Sequence, residues 1–485
     1  MPLTDPNGPT GDEWTSLGEE PSEIAEGVQP HTKTNGLTNG NGTHLPLTNG
    51  TTPHLTSSAS NPDFLTPMYD ELETNLPKQL MQFSTQPFPD SLPLFPRHEA
   101  VQDYLEAYAA DIQSLLQLHT RVLDIQPTSA ARPPQGWNVR LQQEGQPEEE
   151  TARFDAVVVA SGHYNVPAIP AMPGLEAWNA AFPGSVSHSK FFRNADPYRG
   201  KRVVVVGNSA SGLDIAFHLA PSVAAPLYLS HRSPASPLFA GSYASPHIED
   251  VPEIQSFDPT LSPPRINLSD GSTLSSIDKI LFCTGYHHAY PFLRSFPTHS
   301  LPPLTTSGTH TEQTYRHIFY RPAPFRLAFV GLGQKFVPFP TVEAQAAVIG
   351  SVWNGRVELC AGGEQAMEQW ERDTLEEAVL RKGARDFHSL AFPVDARYLE
   401  DCAAWAAGEG EGGEGGVLKR KGGRSRKVPP IWDARMYWVR SQVPAIKRAF
   451  NELGEERLRV RTMEELGFVF DGAAREEVRE LYGKE

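Results

Sequence analysis

Short, largely apolar runs recur along the chain, and each ends at a turn that contains glycine. The clearest are Asp155–Ala160, Arg202–Gly207, Lys279–Phe282 and Leu327–Val330. Continuous apolar runs of this kind are typical of strands that are buried on both faces of a layered sheet. Because helical patterns alternate with them, the chain is predicted to be an α/β protein with doubly wound parallel sheets.

Apolar residues at three- and four-residue steps mark the helical segments between and after these runs. The first helix is predicted over His98–Leu118, and the later ones over Leu213–Leu219, Glu343–Val352, Gln365–Leu380 and Ala434–Leu453. Further strands are predicted over Thr120–Ile125 and Leu227–Leu229. Trp137–Gln142 and Phe154–Ala160 are predicted to pair as a hairpin.

Two segments have compositions that do not suit a packed core. Residues 1–62 are rich in Gly, Asn, Thr, Ser and Pro, which predicts disorder because too little apolar surface is available to offset chain entropy. Residues 408–427 form an acidic Gly/Glu run followed by a basic Lys/Arg run. This insertion is predicted to be solvated and flexible, with a targeting or docking patch as the alternative.

The chain is acidic, since 42 Lys and Arg residues stand against 58 Asp and Glu residues and the formal net charge is −16 over 485 residues. This balance argues against nucleic acid or an anionic membrane as the main partner, because both need a basic surface. No apolar stretch is long enough for a membrane span, and the first residues lack the basic and apolar regions of a signal peptide. A cytoplasmic location is therefore predicted.

The three cysteines form no C-x-x-C pair, which excludes a redox-active dithiol and favours a reduced, intracellular setting. The 16 histidines include the adjacent pair His287-His288, but this pair lacks the spaced partners that ligate zinc. No metal site is predicted.

The segment Gly207-Asn208-Ser209-Ala210-Ser211-Gly212 has the layout G-x-G-x-x-G, with serine at the second glycine position. It follows a valine-rich strand and opens a helix, which is the context that a dinucleotide-binding loop needs. The first glycine permits the tight turn and the last permits close packing of helix on strand. The helix N-terminus then receives the pyrophosphate.

The end of the next strand discriminates between nicotinamide cofactors. An acidic residue there would bind the ribose hydroxyls of NAD, but the sequence has Ser230-His231-Arg232. A hydroxyl and a guanidinium suit a 2′-phosphate, so Ser230 and Arg232 are predicted to bind NADPH.

Several motifs, taken in order, resemble those of a known family. Phe182, Gly184, His188 and Phe192 fit the pattern F-x-G-x-x-x-H-x-x-x-(Y/F) shortly before the glycine loop, which is similar to the signature of the flavin-containing monooxygenases. Residues 69–78 resemble the family's active-site asparagine segment, and residues 160–164 and 283–286 resemble its two A-T-G-like linkers. Residues 331–333 and 343–345 resemble its late flavin-proximal region. The resemblance extends from about residue 64 to residue 350.

This resemblance implies two dinucleotide-binding, Rossmann-like domains. An NADP domain at 199–280 would be inserted into a discontinuous FAD-type domain at 63–198 and 281–485. The implied reaction is that of N,N-dimethylaniline monooxygenases: NADPH reduces FAD, and a C4a-hydroperoxyflavin transfers one oxygen atom from O2 to the nitrogen or sulfur of a small amine or sulfide. A homodimer is compatible with it.

The resemblance also implies roles for single residues. Asn75 would be catalytic at the reactive edge of the flavin, with Thr74 and Gln345 near the cofactor. His188 and Gly184 would brace the loop that joins the two nucleotide domains.

One feature of the family is missing. Its members begin with a strand and a glycine loop for the FAD pyrophosphate, whereas Gly8–Gly11 and Asn39–Gly42 have no apolar strand before them and no helix after them. The FAD-type domain is therefore predicted to be N-terminally incomplete, through either an incomplete coding sequence or true loss of function.

Two other functions stay open. A Baeyer–Villiger monooxygenase acting on ketones is disfavoured because its fingerprint continues with Trp and then Pro or Asp, whereas Phe192 is followed by Arg193. A degenerate nucleotide-binding protein without catalysis is the non-enzymatic alternative.

Overall fold

The computed structural model describes residues 37–38, 44–45, 65–129, 131, 133–235, 243–293, 301–408 and 431–484. The predictions for residues 1–62 and for the insertion at 408–427 fall almost wholly outside the described residues.

The secondary structure of the described residues alternates between short strands and helices. In chain order, the strands are β1 (Leu37–Thr38), β2 (His44–Leu45), β3 (Thr120–Pro127), β4 (Trp137–Gln143), β5 (Glu149–Phe154), β6 (Val157–Val159), β7 (Val166–Pro167), β8 (Val186–His188), β9 (Val203–Val206), β10 (Leu227–Ser230), β11 (Ile248–Val251), β12 (Ile254–Asp258), β13 (Arg265–Leu268), β14 (Thr273–Ser275), β15 (Lys279–Phe282), β16 (Tyr286–His287), β17 (Thr314–Tyr315), β18 (Phe319–Tyr320) and β19 (Leu327–Phe329). The α-helices are α1 (Lys78–Met81), α2 (His98–Tyr108), α3 (Leu175–Ala181), α4 (Ala210–Leu219), α5 (Pro338–Trp353), α6 (Gly363–Arg381), α7 (Val394–Ala407), α8 (Ala434–Glu452) and α9 (Gly472–Tyr482).

The chain divides into two compact units. The first contains the described residues up to Asn75, together with Tyr164–His287 and Pro444–Arg457. Its main sheet is parallel, with the strand order β11-β10-β9-β15-β8. Because β9 lies beside β15, which comes much later in the chain, the sheet is doubly wound as the apolar runs predict.

The valine run of β9 is buried on both sides. Val204 and Val206 pack into a core that includes Phe282, whereas Val203 and Val205 pack into a second core. That second core contains residues of α4 such as Ile215. Alternate side chains of one strand therefore fill two cores, which is why the strand has no polar position.

The second unit contains Leu76–His163, His288–Val443 and Leu458–Glu485. One of its sheets has the order β17-β18-β19-β6, with β19 and β6 parallel, and another is the antiparallel sheet β3-β4-β5. Helix α5 packs with α7 on the face of β19 that carries Ala328. The predicted α/β architecture is confirmed.

Two local predictions were wrong. Trp137–Gln142 pairs with Glu149–Phe154 rather than with the apolar run that follows, because Val157–Val159 forms a separate parallel strand beside β19. The predicted helix over His98–Leu118 ends at Tyr108 and continues as a 3₁₀ helix, with Leu115 77% exposed. Among the described residues, every helix is too short or too polar to cross a bilayer.

Candidate functional site

The glycine loop follows the carboxyl end of β9, at the middle of the parallel sheet. Gly207 has a φ of 108°, and a Cβ there would lie 2.7 Å from the carbonyl oxygen of Cys283. A Cβ at Gly212 would lie 1.8 Å from the carbonyl oxygen of Gly207, so only glycine fits both positions. Ser209 is the N-cap residue of α4. The N–H groups of the first helical turn point out of the helix here, which is the geometry that binds a pyrophosphate.

A surface cleft of about 360 Å³ lies where β10 ends. The side chain of Arg232 is 81% exposed there, and its Nε lies 3.6 Å from a carboxylate oxygen of Glu253. His231 pairs with Asp250 at 2.9 Å. Ser230, in contrast, is 1% exposed, and its hydroxyl donates to a backbone carbonyl oxygen 2.9 Å away. Of the two residues predicted to read the 2′-phosphate, Arg232 faces the cleft and Ser230 faces the interior.

His188 is fully buried at the end of β8. Its Nε2 donates to the carbonyl oxygen of Gly285 at 3.0 Å, and its Nδ1 accepts the backbone N–H of Lys190. A ring that donates at one nitrogen and accepts at the other is a neutral imidazole, and burial lowers the pKa of His188 to about 3. These contacts belong to a residue that braces the turn after β15.

The other signature residues form packing and backbone contacts. Phe182 packs against the core that contains Val204, and Phe192 meets the ring of Tyr69 edge to face at 5.3 Å. Gly184 has a φ of 76°, and its carbonyl oxygen accepts a hydrogen bond from the side chain of Lys279. These residues shape the first unit and present no reactive group.

Asn75 is half-buried, and its Oδ1 accepts a hydrogen bond from the hydroxyl of Tyr243 at 2.8 Å. The Asp214 carboxylate in α4 lies near enough to Tyr243 to raise, together with burial, the pKa of its hydroxyl. The hydroxyl of Tyr69 donates to the same carboxylate. None of these three partners is predicted from the sequence. The signal that could have revealed them is the charge of Asp214, which interrupts an otherwise apolar stretch of helix.

Buried charges hold the backbone next to Asn75. Glu73 is 5% exposed and accepts a hydrogen bond from Arg457 at 2.9 Å. The Nζ of Lys447 lies 3.4 Å from the same carboxylate and donates to the carbonyl oxygen of Thr74 at 3.2 Å. Burial lowers the pKa of Lys447, and the Glu73 carboxylate opposes that effect. These partners were missed because Lys447 is 374 positions away from Glu73 along the chain.

In the second unit, the carboxyl ends of the parallel strands β6 and β19 border a small pocket. Ser161 and Gly162 line it after β6, and Val330 and Leu332 line it after β19. Ligands of open α/β sheets bind outside this end of parallel strands. The candidate flavin location within this unit is therefore the surface beside these strand ends, because the pocket itself has no room for a ligand.

Gln345 is fully buried behind this pocket. Its Oε1 accepts the backbone N–H of Gly331 at 2.9 Å, and its Nε2 donates to the hydroxyl of Tyr398 at 2.9 Å. Gly331 has a φ of 80°, so the glutamine holds a left-handed turn in place. Any influence of Gln345 on a cofactor would act through this turn.

A cluster of buried imidazoles occupies the interior of the second unit. Its members are His163, His288, His310, His317 and His388. The Nε2 of His388 accepts the backbone N–H of Thr311, so its proton lies on Nδ1 and is donated to Nδ1 of His317 at 2.9 Å. Burial lowers the pKa of His163 to about 4 and that of His317 to about 3. Within the described ranges, no three His, Cys, Asp or Glu side chains are placed to hold a metal ion.

A family model described as flavin-binding monooxygenase-like matches residues 57–238. The chain is 36% identical over 298 residues to the thiol-specific monooxygenase of Saccharomyces cerevisiae, a match that covers 59% of this chain and 65% of that protein. It is 30% identical over 367 residues to the flavin-containing monooxygenase ustF2 of Aspergillus flavus, which covers 70% of this chain and 71% of that protein. The matched part thus spans about two thirds of these relatives.

A solved structure is similar to the chain as well. The S-allyl-L-cysteine S-oxygenase from Allium sativum aligns with a TM-score of 0.65 and 24% identity, over 90% of each chain. At this identity the match shows a shared fold. It agrees with the α/β architecture described above.

Proposed function

The chain belongs to the flavin-containing monooxygenase family, and we propose that it uses NADPH to insert one oxygen atom of O2 into the sulfur or nitrogen of a small molecule. Membership confirms the resemblance seen in the sequence, with FAD and NADP as the cofactors of the family. Sulfur is the favoured target atom, because the relative with 36% identity is named a thiol-specific monooxygenase. The observation that supports this proposal most directly is the glycine loop with its helix and the adjoining Arg232 cleft.

The first unit fits a nicotinamide dinucleotide. The loop from Gly207 to Gly212 offers backbone N–H groups at a helix N-terminus for the pyrophosphate. Arg232 offers a guanidinium to a 2′-phosphate at the end of the neighbouring strand. These residues bind and orient the cofactor, and they take no covalent part.

The flavin fits the described residues only in part. Its buried pyrophosphate needs N–H donors. In the described part of the second unit, the turns at Gly162 and Gly331 lie at the carboxyl ends of β6 and β19, where a ligand is expected. No glycine loop in this part opens a helix beside β6. Strand β6 pairs with β19 on one side, and Val158 is 42% exposed. We infer that the flavin site is incomplete in these residues.

Asn75 is the proposed catalytic residue. Tyr243 occupies its Oδ1, so the Nδ2 end of the amide is the donor that is directed away from this network. By the family resemblance, that donor would hydrogen-bond a reacting group at the flavin edge. Thr74 contributes its carbonyl oxygen to Lys447 and thereby supports the same segment.

A first experiment tests nucleotide binding without turnover. Purified chain titrated with NADP+ should bind it, and Gly212→Ala should abolish binding because the new Cβ would lie 1.8 Å from the Gly207 carbonyl oxygen. Gly350→Ala is the matched control, since a Cβ there meets nothing within 4 Å. Equal binding by both variants would overturn the assignment of the loop.

A second experiment tests the chemistry. The chain is incubated with FAD, NADPH and 18O2, together with a thioether, a tertiary amine or a cyclic ketone. A labelled sulfoxide or N-oxide supports the proposal, and a labelled ester would instead support the Baeyer–Villiger alternative. Binding of NADP+ with no labelled product, even when FAD is retained, would support a nucleotide-binding protein without catalysis.

A further inference from the structure

A buried polar network extends from the helix of the glycine loop to the candidate catalytic asparagine. Its members, referred to below as the Asn75 network, are Tyr69, Glu73, Asn75, Asp214, Tyr243, Lys447 and Arg457. The network contains two carboxylates and two cations, so its formal charges balance. Such balance matters because an uncompensated buried charge is strongly destabilising.

The hydroxyl protons of the network can be assigned. Tyr69 has one hydroxyl proton and donates it to Asp214, which is 3% exposed. Tyr243 donates its single proton to the Oδ1 of Asn75, and burial together with the nearby Asp214 carboxylate raises the pKa of Tyr243 well above its usual value. Tyr243 therefore stays a neutral donor. The asparagine amide is held in one of its two flipped orientations, with Nδ2 directed away from Tyr243.

The backbone next to Asn75 is held by two residues from late in the chain, Lys447 and Arg457. Lys447 in α8 donates to the carbonyl oxygen of Thr74, the residue before Asn75. Its ammonium group also lies against Glu73, which Arg457 holds through Nε and Nη2. The side chain of Asn75 is thus fixed by a hydroxyl, and its peptide segment by an ammonium group.

We propose that Tyr243 and Lys447 are positioning residues for Asn75, Tyr243 by selecting which end of the amide is presented and Lys447 by fixing the preceding peptide group. This inference rests on the proposed function in one respect, because it assumes that the orientation of Asn75 matters to the reaction. The geometric part stands on the hydrogen bonds alone. Neither residue has a motif in the sequence, and both become visible only through the fold.

The test uses the full chain labelled with 15N-asparagine, which reports the side-chain amide without any flavin. The Asn75 signal is identified by its loss in Asn75→Asp. In Tyr243→Phe this signal should shift, because the amide loses the hydrogen bond that its Oδ1 accepts from the Tyr243 hydroxyl. The matched control is Tyr290→Phe, which removes a buried hydroxyl that bonds Thr311 in the second unit.

Lys447 is tested in the same way with a conservative rescue. Lys447→Met should shift the Asn75 signal, and Lys447→Arg should restore most of its position because a donor to the Thr74 carbonyl is kept. An unchanged signal in both Tyr243→Phe and Lys447→Met would overturn the inference, as would an equal change in Tyr290→Phe. If the Asn75 amide signal shifts as expected in both variants but the monooxygenase assay gives no product, the result counts against the proposed function and leaves the positioning role intact.

Discussion

At the scale of single residues, Arg232 should decide between the two nicotinamide cofactors. Replacing it with alanine removes a charge-assisted contact worth roughly 1.5–3 kcal/mol, so the Kd for NADP+ should rise about ten- to a hundredfold. The Kd for NAD+ should stay nearly unchanged, because NAD+ has no 2′-phosphate. Calorimetric titration of both nucleotides checks this. Equal losses for the two would mean that Arg232 does not read the phosphate.

Glu253 should have the opposite effect. Its carboxylate lies 3.6 Å from Arg232 and competes with a phosphate for the guanidinium. Both groups are solvated, so Glu253→Gln should tighten NADP+ binding by only about two- to fivefold at low salt, and by less at high salt. Glu249→Gln makes the same charge change at an exposed position of β11 and should leave the affinity nearly unchanged. An unchanged affinity for NADP+ in Glu253→Gln would show that Glu253 does not compete with the phosphate for Arg232.

At the scale of elements, the sequence predicted the strands and helices that depend on residues close together in the chain. The strand β9, the glycine loop and α4 were predicted because the valine run, the two glycines and the helix start are adjacent in the chain. The pairing of β6 with β19 was not predicted, since it depends on which distant strand covers an apolar run. The partners of Asn75 were missed for the same reason: Tyr243 lies 168 positions away. The spacing of apolar residues also predicted an α-helix where the chain forms a 3₁₀ helix, at Ala110–Leu115, because apolar side chains there are exposed.

Strands β6 and β15 are followed by similar turns but differ in their neighbours. Leu281 of β15 is fully buried between β8 and β9, whereas Val158 of β6 is 42% exposed. Val158→Cys should therefore react rapidly with a maleimide, and Leu281→Cys should not. Both are made in a Cys360→Ser background, because the other two cysteines are buried. If Val158→Cys is protected from the maleimide only at high protein concentration, a second copy of the chain covers this edge. Protection at every protein concentration would contradict an open edge.

At the scale of the whole molecule, the buried histidines should make stability depend on pH. An unfolded histidine has a pKa of about 6.5, whereas burial lowers the pKa of His163 to about 4 and that of His317 to about 3. The unfolded chain therefore binds more protons below pH 6.5, and stability is full above that value and falls as the pH drops towards 4. Each histidine that stays neutral contributes about 1.4 kcal/mol per pH unit to this loss.

Thermal unfolding between pH 7.5 and 5 checks this pH dependence. The slope should be shallower in His388→Gln, which removes one member of the cluster, and unchanged in His119→Gln, whose side chain is 71% exposed. A Tm that does not fall between pH 7 and pH 5 would show that the cluster accepts protons in the folded state.

The open edge of β6 should limit how much flavin the chain retains. FAD has two negative charges on its pyrophosphate, and burying them without N–H donors is costly. Among the described residues, such a cradle is present at Gly207–Gly212 of the first unit, and β6 of the second unit has a bare edge. The soluble yield of the 485-residue chain should therefore be lower than that of a chain whose β6 edge is covered, and the flavin-to-protein ratio of its soluble fraction after gel filtration should be far below one.

Joining a strand, a glycine loop and a helix upstream, patterned on residues 202–219 of this chain, should raise both the soluble yield and the flavin ratio. The same segment with glutamate at the position that corresponds to Ser209 is the control. It keeps both loop glycines and should restore solubility by covering β6, yet bind little FAD, because a carboxylate at the helix N-terminus would repel the pyrophosphate. Near one-to-one FAD binding by the original chain as a soluble monomer or dimer would refute the incomplete site. It would also require a second phosphate cradle elsewhere in these 485 residues.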